Sequence, residues 1–181
     1  MKIAISGKSG CGNTSVSRLV AEELGYSMIN YTFRAMAAEA GIPFSEFCAL
    51  AENDDSYDVQ LDKAQVAMAE EGDCVLGSRL AIWMLKDADL KVYMYADPEI
   101  RARRIQQREA RDFDEVLHET VARDQRDSAR YRRIYGIDTN DYFFADLVLN
   151  TNELDQYQCA QIIIDKVNEM KGSVQPDTKS L

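Results

Sequence analysis

Residues 7–14 read Gly-Lys-Ser-Gly-Cys-Gly-Asn-Thr and follow directly on the apolar run Ile3-Ala4-Ile5. The spacing is that of a phosphate loop, Gly-x-x-x-x-Gly-Lys-[Ser/Thr], with one departure. Gly7, Gly12 and Thr14 stand where the pattern needs them, but Asn13 stands in place of the lysine. Such a loop works mainly through its backbone: Gly7, Gly10 and Gly12 allow a tight turn that aims successive N–H groups at an anion. The helix expected to begin near Asn13 adds the positive end of its dipole, and Thr14 offers a hydroxyl to Mg²⁺. The missing lysine would add a mobile positive charge that follows the transferring β/γ-phosphates. Lys8, inside the loop, is the nearest candidate to replace it, because Asn13 donates only a neutral hydrogen bond. The candidate phosphate-binding set is Gly7, Lys8, Ser9, Gly10, Cys11, Gly12, Asn13, Thr14 and Ser15. The setting of strand, loop and helix from residue 3 onward separates it from a ligand-free glycine turn.

Arginine is the second chemical signal. Ten of the thirteen arginines fall between Arg101 and Arg133, in a chain whose net charge is −10. That balance argues against nucleic acid as a bulk partner and for a focused anion site. Arg123, Asp127 and Arg130 are spaced i, i+4, i+7 and share one helix face. Two guanidinium forks there can grip phosphate, with the carboxylate between them orienting the forks or accepting a ribose hydroxyl. Arg126 and Arg133 point elsewhere and are expected in solvent. The acidic residues of the same segment suit i,i+4 ion pairs on its outer faces.

The elements that must position these groups follow from periodicity. Short apolar runs at 2–5, 27–30, 74–76, 90–95 and 147–149 read as buried strands. Helical patterns lie at about 13–24, 32–40, 43–52, 58–71, 79–86, 98–109, 112–132 and 156–170. The alternation implies an α/β fold, a five-stranded parallel sheet flanked by helices in three layers. One domain spans 1–171, and the polar stretch 172–181, with Pro176, is expected to be a disordered tail. Helices at about 32–71 interrupt the second and third strands, and the arginine-rich segment at about 101–133 lies between the fourth and fifth. In a kinase for small substrates these are the places for an acceptor-binding cover and a closing lid, which exclude water.

No apolar stretch approaches the roughly 18–20 residues needed to span a bilayer, so no membrane partner is expected. Cys11, Cys48, Cys74 and Cys159 lack metal-site spacing and read as reduced cytoplasmic thiols. His118 is the single histidine, which leaves Ser-His-Asp and Cys-His chemistry without material; it is expected to face solvent.

The chain resembles the cytidylate kinases, in the compact form found in archaea and some bacteria, over about residues 2–170. The stretches that carry the resemblance are Ile5–Ser15, Phe33-Arg34 with Met36-Ala37, Val75–Leu85, Arg104–Glu109 and, most specifically, Arg123–Asp138 with its ending Tyr-Arg-Arg-Ile-Tyr-Gly-Ile-Asp. The resemblance implies a P-loop kinase fold with a monophosphate-binding insertion and a lid. It implies transfer of the γ-phosphoryl of ATP to CMP or dCMP with Mg²⁺, in a cytoplasmic monomer. By position, Arg34, Arg79, Arg123, Asp127 and Arg130 would hold CMP, Arg104 and Arg108 would be lid arginines over ATP, and Asp58 and Asp62 would read the amino group of cytosine. Lys8, Arg104, Arg123 and Arg130 are the candidate catalytic cations, and Thr14 the metal-side hydroxyl. Two departures stand out. Larger bacterial relatives carry Gly-Arg-Asp after the third strand, where this chain has Leu80 after Arg79, and Asn13 lacks the loop lysine. A non-catalytic nucleotide-binding protein, and a kinase of similar fold for another small acceptor, remain the alternative readings.

Overall fold

The structure, a computed structural model, describes residues 1–172. In β1 (Lys2–Gly7), Ile3, Ala4 and Ile5 are all fully buried, because a strand covered on both faces has no solvent side to make polar. Alternation survives in the layer that each residue meets. Ile3 and Ile5 pack with Val16, Val20 and Ile163 of α1 (Asn13–Leu24) and α8 (Gln156–Gly172). Ala4 faces the opposite layer, with Ile82 and Leu85 at α5 (Ala81–Met84).

β1 is central. It pairs with β3 (Cys74–Gly77) and β4 (Leu90–Tyr95), while β2 (Ser27–Ile29) and β5 (Leu147–Asn150) form the edges. The order is β2-β3-β1-β4-β5 and every pairing is parallel, as the sequence implied. The chain fills β2 and β3 on one side of β1, then crosses to β4 on the other. Ligands in such sheets sit off the carboxyl ends at this reversal, which is where the phosphate loop leaves β1. At the neighbouring end of β3, a Cβ on Gly77 would fall 2.2 Å from Ser17 Oγ, so α1 approaches β3 only because that position carries no side chain.

Between β2 and β3, α2 (Phe33–Ala40), α3 (Phe44–Asn53) and α4 (Ser56–Met68) build a cover with its own small core of Met36, Ala37, Phe47 and Ala51. Between β4 and β5, α6 (Pro98–Glu109) and α7 (Phe113–Tyr135) form a helical hairpin closed over Ala102, Ile105 and Val116. Asp112 starts α7 by accepting the Glu115 N–H, and Gly136 ends it in the left-handed conformation.

The structure differs from the periodicity at some boundaries. The pattern over 79–86 yields only Ala81–Met84, because Leu80 turns into the core and the Ile82 N–H is satisfied by Ser6 Oγ. The pattern at 58–71 starts earlier, at Ser56, and tightens into a 3₁₀ turn at Ala69–Glu71. α8 takes in Gly172, and the remainder of the expected tail lies outside the described residues. Among the described residues no helix is long and apolar enough to cross a membrane, all four cysteines are free, and His118 is exposed.

Candidate active site

A cleft of about 1090 Å³ opens where the phosphate loop, the cover, the end of β3, the α6–α7 hairpin and the β5–α8 loop converge. Small-molecule sites run from about 300 to 1,000 Å³, so this cleft stands at the upper end of that range. Lys8, Arg34, Arg79, Arg104, Arg108, Arg123 and Arg130 all line it. A chain of net charge −10 has therefore gathered seven cations around one cavity.

The loop is held from outside. Gly10 has φ +85°, and a Cβ there would lie 2.8 Å from the Cβ of Arg101. Arg101 is 2% exposed and absent from the cleft lining; its guanidinium donates to the carbonyls of Ser9 (3.0 Å) and Ala96 (3.1 Å) and to both oxygens of Asp124. Asn13 turns back, donating from Nδ2 to the Gly7 carbonyl at 2.5 Å, and so does not reach into the cradle as a lysine would. Thr14, in the first turn of α1, is exposed to the cleft. Lys8 Nζ donates to Asn140 Oδ1 at 3.4 Å, a long bond to a neutral partner.

On α7 the i, i+4, i+7 trio shares a face as expected, but its carboxylate does not reach the cleft. Asp127 lies between two arginines, Oδ2 3.2 Å from Arg79 Nε and Oδ1 3.3 Å from Arg130 Nη2. Expected to orient the forks or to meet a sugar, it here orients the forks, because two neighbouring cations claim its two oxygens. Partial desolvation and then the like charge of Arg79 press the Arg123 guanidinium below its ordinary pKa. Arg34 is exposed, with its guanidinium 4.2 Å over the Phe44 ring.

Asp58 and Asp62, one turn apart on α4, are both buried, at 4% and 8% exposure. Asp58 Oδ1 lies 3.5 Å from Arg130 Nη2, while its Oδ2 has no hydrogen-bond partner among the described residues. Burial raises its pKa, and Arg130 offsets part of that rise. Asp62 accepts the Tyr135 hydroxyl at 2.5 Å, and burial lifts its pKa from 3.8 to about 6. A carboxyl whose folded pKa is raised lowers stability as pH climbs from 3.8 to about 6, with the full cost of about 3 kcal/mol present above that. Asp62→Asn keeps an acceptor for Tyr135. It is expected to raise Tm at pH 7 and to remove this part of the pH slope. Parallel Tm–pH curves for the two proteins would show that Asp62 titrates normally.

Other expected site residues stand differently. Arg104, expected as a lid arginine over ATP, is fastened to Thr151 Oγ1 at 3.0 Å and to the Thr151 and Leu154 carbonyls. It still lines the cleft, but these bonds anchor the start of the hairpin to the body. Arg108 is exposed and pairs with neighbouring Glu109. Arg133 is exposed, as expected, and from there makes two hydrogen bonds of 3.0 and 2.6 Å to Asp55 at the start of α4. Sequence reasoning missed Arg101, Asp124 and Tyr135. The last lies in the quoted Tyr-Arg-Arg-Ile-Tyr motif, while the Arg101–Asp124 pair has no local spacing to announce it.

Residues 2–153 match the model of the cytidylate kinase-like family. The chain is 46% identical over 180 residues to cytidylate kinase 2 of Borreliella burgdorferi, covering 96% of this chain and 100% of that protein. It is 40% identical over 177 residues to the cytidylate kinase of Archaeoglobus fulgidus, covering 96% and 98%. Among solved structures, shikimate kinase from Acinetobacter baumannii aligns with a TM-score of 0.61 at 18% identity, covering 96% of this chain and 95% of that one. That likeness is one of fold, the P-loop kinase fold.

Proposed function

This chain belongs to the cytidylate kinase-like family and is a phosphotransferase acting on CMP; from that premise we propose that it moves the γ-phosphoryl of ATP to CMP or dCMP, with Mg²⁺, giving ADP and the diphosphate. The observation that carries the reading is the convergence of Arg34, Arg79, Arg123 and Arg130 opposite a phosphate loop in one cleft. Phosphoryl transfer asks a protein mainly for positioning and for fixed positive charge, and this cleft supplies both. The loop N–H groups and Lys8 hold the donor phosphates, Arg34 and Arg79 the acceptor phosphate, and Arg123 and Arg130 the charge between them. Among the described residues no three His, Cys, Asp or Glu side chains form a metal cluster. A hydroxyl such as Thr14 beside phosphate oxygens and water suits Mg²⁺, a hard cation that keeps much of its hydration. When bound, Mg²⁺ neutralises charge on the β- and γ-oxygens. The net charge of −10 supports small nucleotides rather than nucleic acid as partners.

ADP release measured with CMP, dCMP, UMP, AMP and shikimate tests the reading. Turnover is expected to be fastest with the cytidine nucleotides, and ATP binding without turnover on any acceptor would overturn it.

Base reading falls to Asp58 in this scheme. Its unpartnered buried oxygen suits the N4 amino group of cytosine and repels the O4 carbonyl of uracil, whereas the Asp62 carboxylate is already engaged by Tyr135. Asp58→Asn supplies both a donor and an acceptor. It is expected to shrink the CMP-over-UMP ratio of kcat/KM by about 10–100-fold, the worth of one hydrogen bond to a charged group. An unchanged ratio would remove Asp58 from base recognition.

A further inference from the structure

We propose that Arg101 and Asp124 form a positioning device that fixes the direction of one phosphate-loop N–H and ties that loop to the helix carrying the acceptor-side arginines. Arg101 is the largest side chain among the fully buried ones, and it does not line the cleft, so its charge is not spent on a substrate. A buried guanidinium is costly unless its donors are used and its charge is balanced. Here Nε donates to Ala96 O at the end of β4, Nη1 to Ser9 O in the phosphate loop, and Nη1 and Nη2 together to the Asp124 carboxylate at 3.2 and 2.6 Å. Asp124 accepts as a fork, the geometry in which such pairs are strongest.

The consequence lies in the peptide that Arg101 holds. A trans peptide is planar, with its C=O and N–H pointing opposite ways. Drawing the Ser9 carbonyl outward onto Arg101 therefore turns the Gly10 N–H inward, toward the cradle. Gly10 also lies against the Arg101 backbone, with no room for a Cβ, so the peptide has little freedom to flip. This matters more here than in a loop with its lysine, because backbone donors carry a larger share of the phosphate charge. Asp124 precedes Asp127 by three residues and follows Arg123 on α7, so the same clamp connects the donor loop to the acceptor-side cations. A loop preorganised in this way makes its strongest hydrogen bonds as charge develops on the transferring phosphoryl, which places the effect in kcat and in ATP binding.

The inference rests on the phosphotransferase reading, and the experiment separates the two. ATP and CMP affinities are measured by calorimetry, alongside steady-state kinetics and thermal unfolding, for the wild type, Arg101→Lys and Asp124→Asn. Lysine keeps the charge but cannot bridge Ser9, Ala96 and Asp124 at once; asparagine is isosteric and serves as the second variant if the lysine protein does not fold. In either folded variant, kcat is expected to fall about 10–100-fold and ATP affinity about tenfold, with CMP affinity within about twofold of wild type. Parallel loss of both affinities together with unfolding temperature would reduce the pair to a structural role and overturn the proposal. So would unchanged kcat and ATP affinity. A wild type that binds ATP but phosphorylates no acceptor would overturn the catalytic reading instead, while ATP affinity alone would still judge the clamp.

Discussion

Replacing Arg130 with alanine is expected to lower kcat by about 10²–10³-fold, roughly 3–4 kcal/mol of barrier, with little change in ATP affinity. Arg130 is preorganised before any substrate arrives. Its guanidinium lies 3.3 Å from Asp127 and 3.5 Å from Asp58, and 5.5 Å over the Tyr131 ring. It is only 27% exposed at the side chain, and its buried Nε has no hydrogen-bond partner among the described residues. A cation held by two carboxylates does not need to reorganise as charge builds on the transferring group, and this is what makes such donors effective. The substitution also leaves Asp58 buried without its counter-charge, so KM for CMP is expected to rise as well. Arg130→Lys, which keeps charge without the planar fork, should recover only part of kcat. Collapse of ATP binding with preserved turnover of bound substrate would show that Arg130 belongs to the donor end.

Lys8→Ala is the second large effect, expected to cost about 2–4 kcal/mol of barrier. The work of the missing loop lysine needs a positive charge able to follow the phosphoryl group. Asn13 is unavailable for any such role, with its amide folded back on Gly7 and its Oδ1 buried. Arg79, Arg104 and Arg130 are each committed to carboxylates or carbonyls. Among the described residues Lys8 is tethered by one long bond, to Asn140, so it can swing to the phosphates at little cost. Single-turnover rates at saturating ATP and CMP measure the effect. A near-neutral result would move the burden to Arg123, which also lines the cleft.

Much of the fold was legible because its signals are local. Each apolar run became a strand of the parallel sheet, since a doubly covered strand must be apolar throughout. Helix ends follow a local signal where a glycine takes the left-handed conformation, as Gly25 and Gly136 do after α1 and α7. They were not legible where packing set the limit: α5 is shortened because Leu80 is drawn into the core and Ser6 satisfies its start. In the site, the i, i+4, i+7 trio was found, but the role of its central carboxylate was decided by Arg79, which approaches from another element.

By itself, the sequence determined the phosphate loop, the parallel sheet that presents it and the cationic face of α7. All three are announced by residues within a few positions of one another: glycine spacing, short apolar runs and one helix face. Tertiary structure alone decided the rest. It set Asp58 against Arg130, gave Asp62 to Tyr135, and placed Arg101 between Ser9 and Asp124. These partners lie far apart along the chain, and both their proximity and their burial arise only when the helices pack on the sheet. Desolvation raises the pKa of Asp62 and makes the Arg101–Asp124 pair costly to break, and it belongs to the packed fold rather than to any spacing of residues.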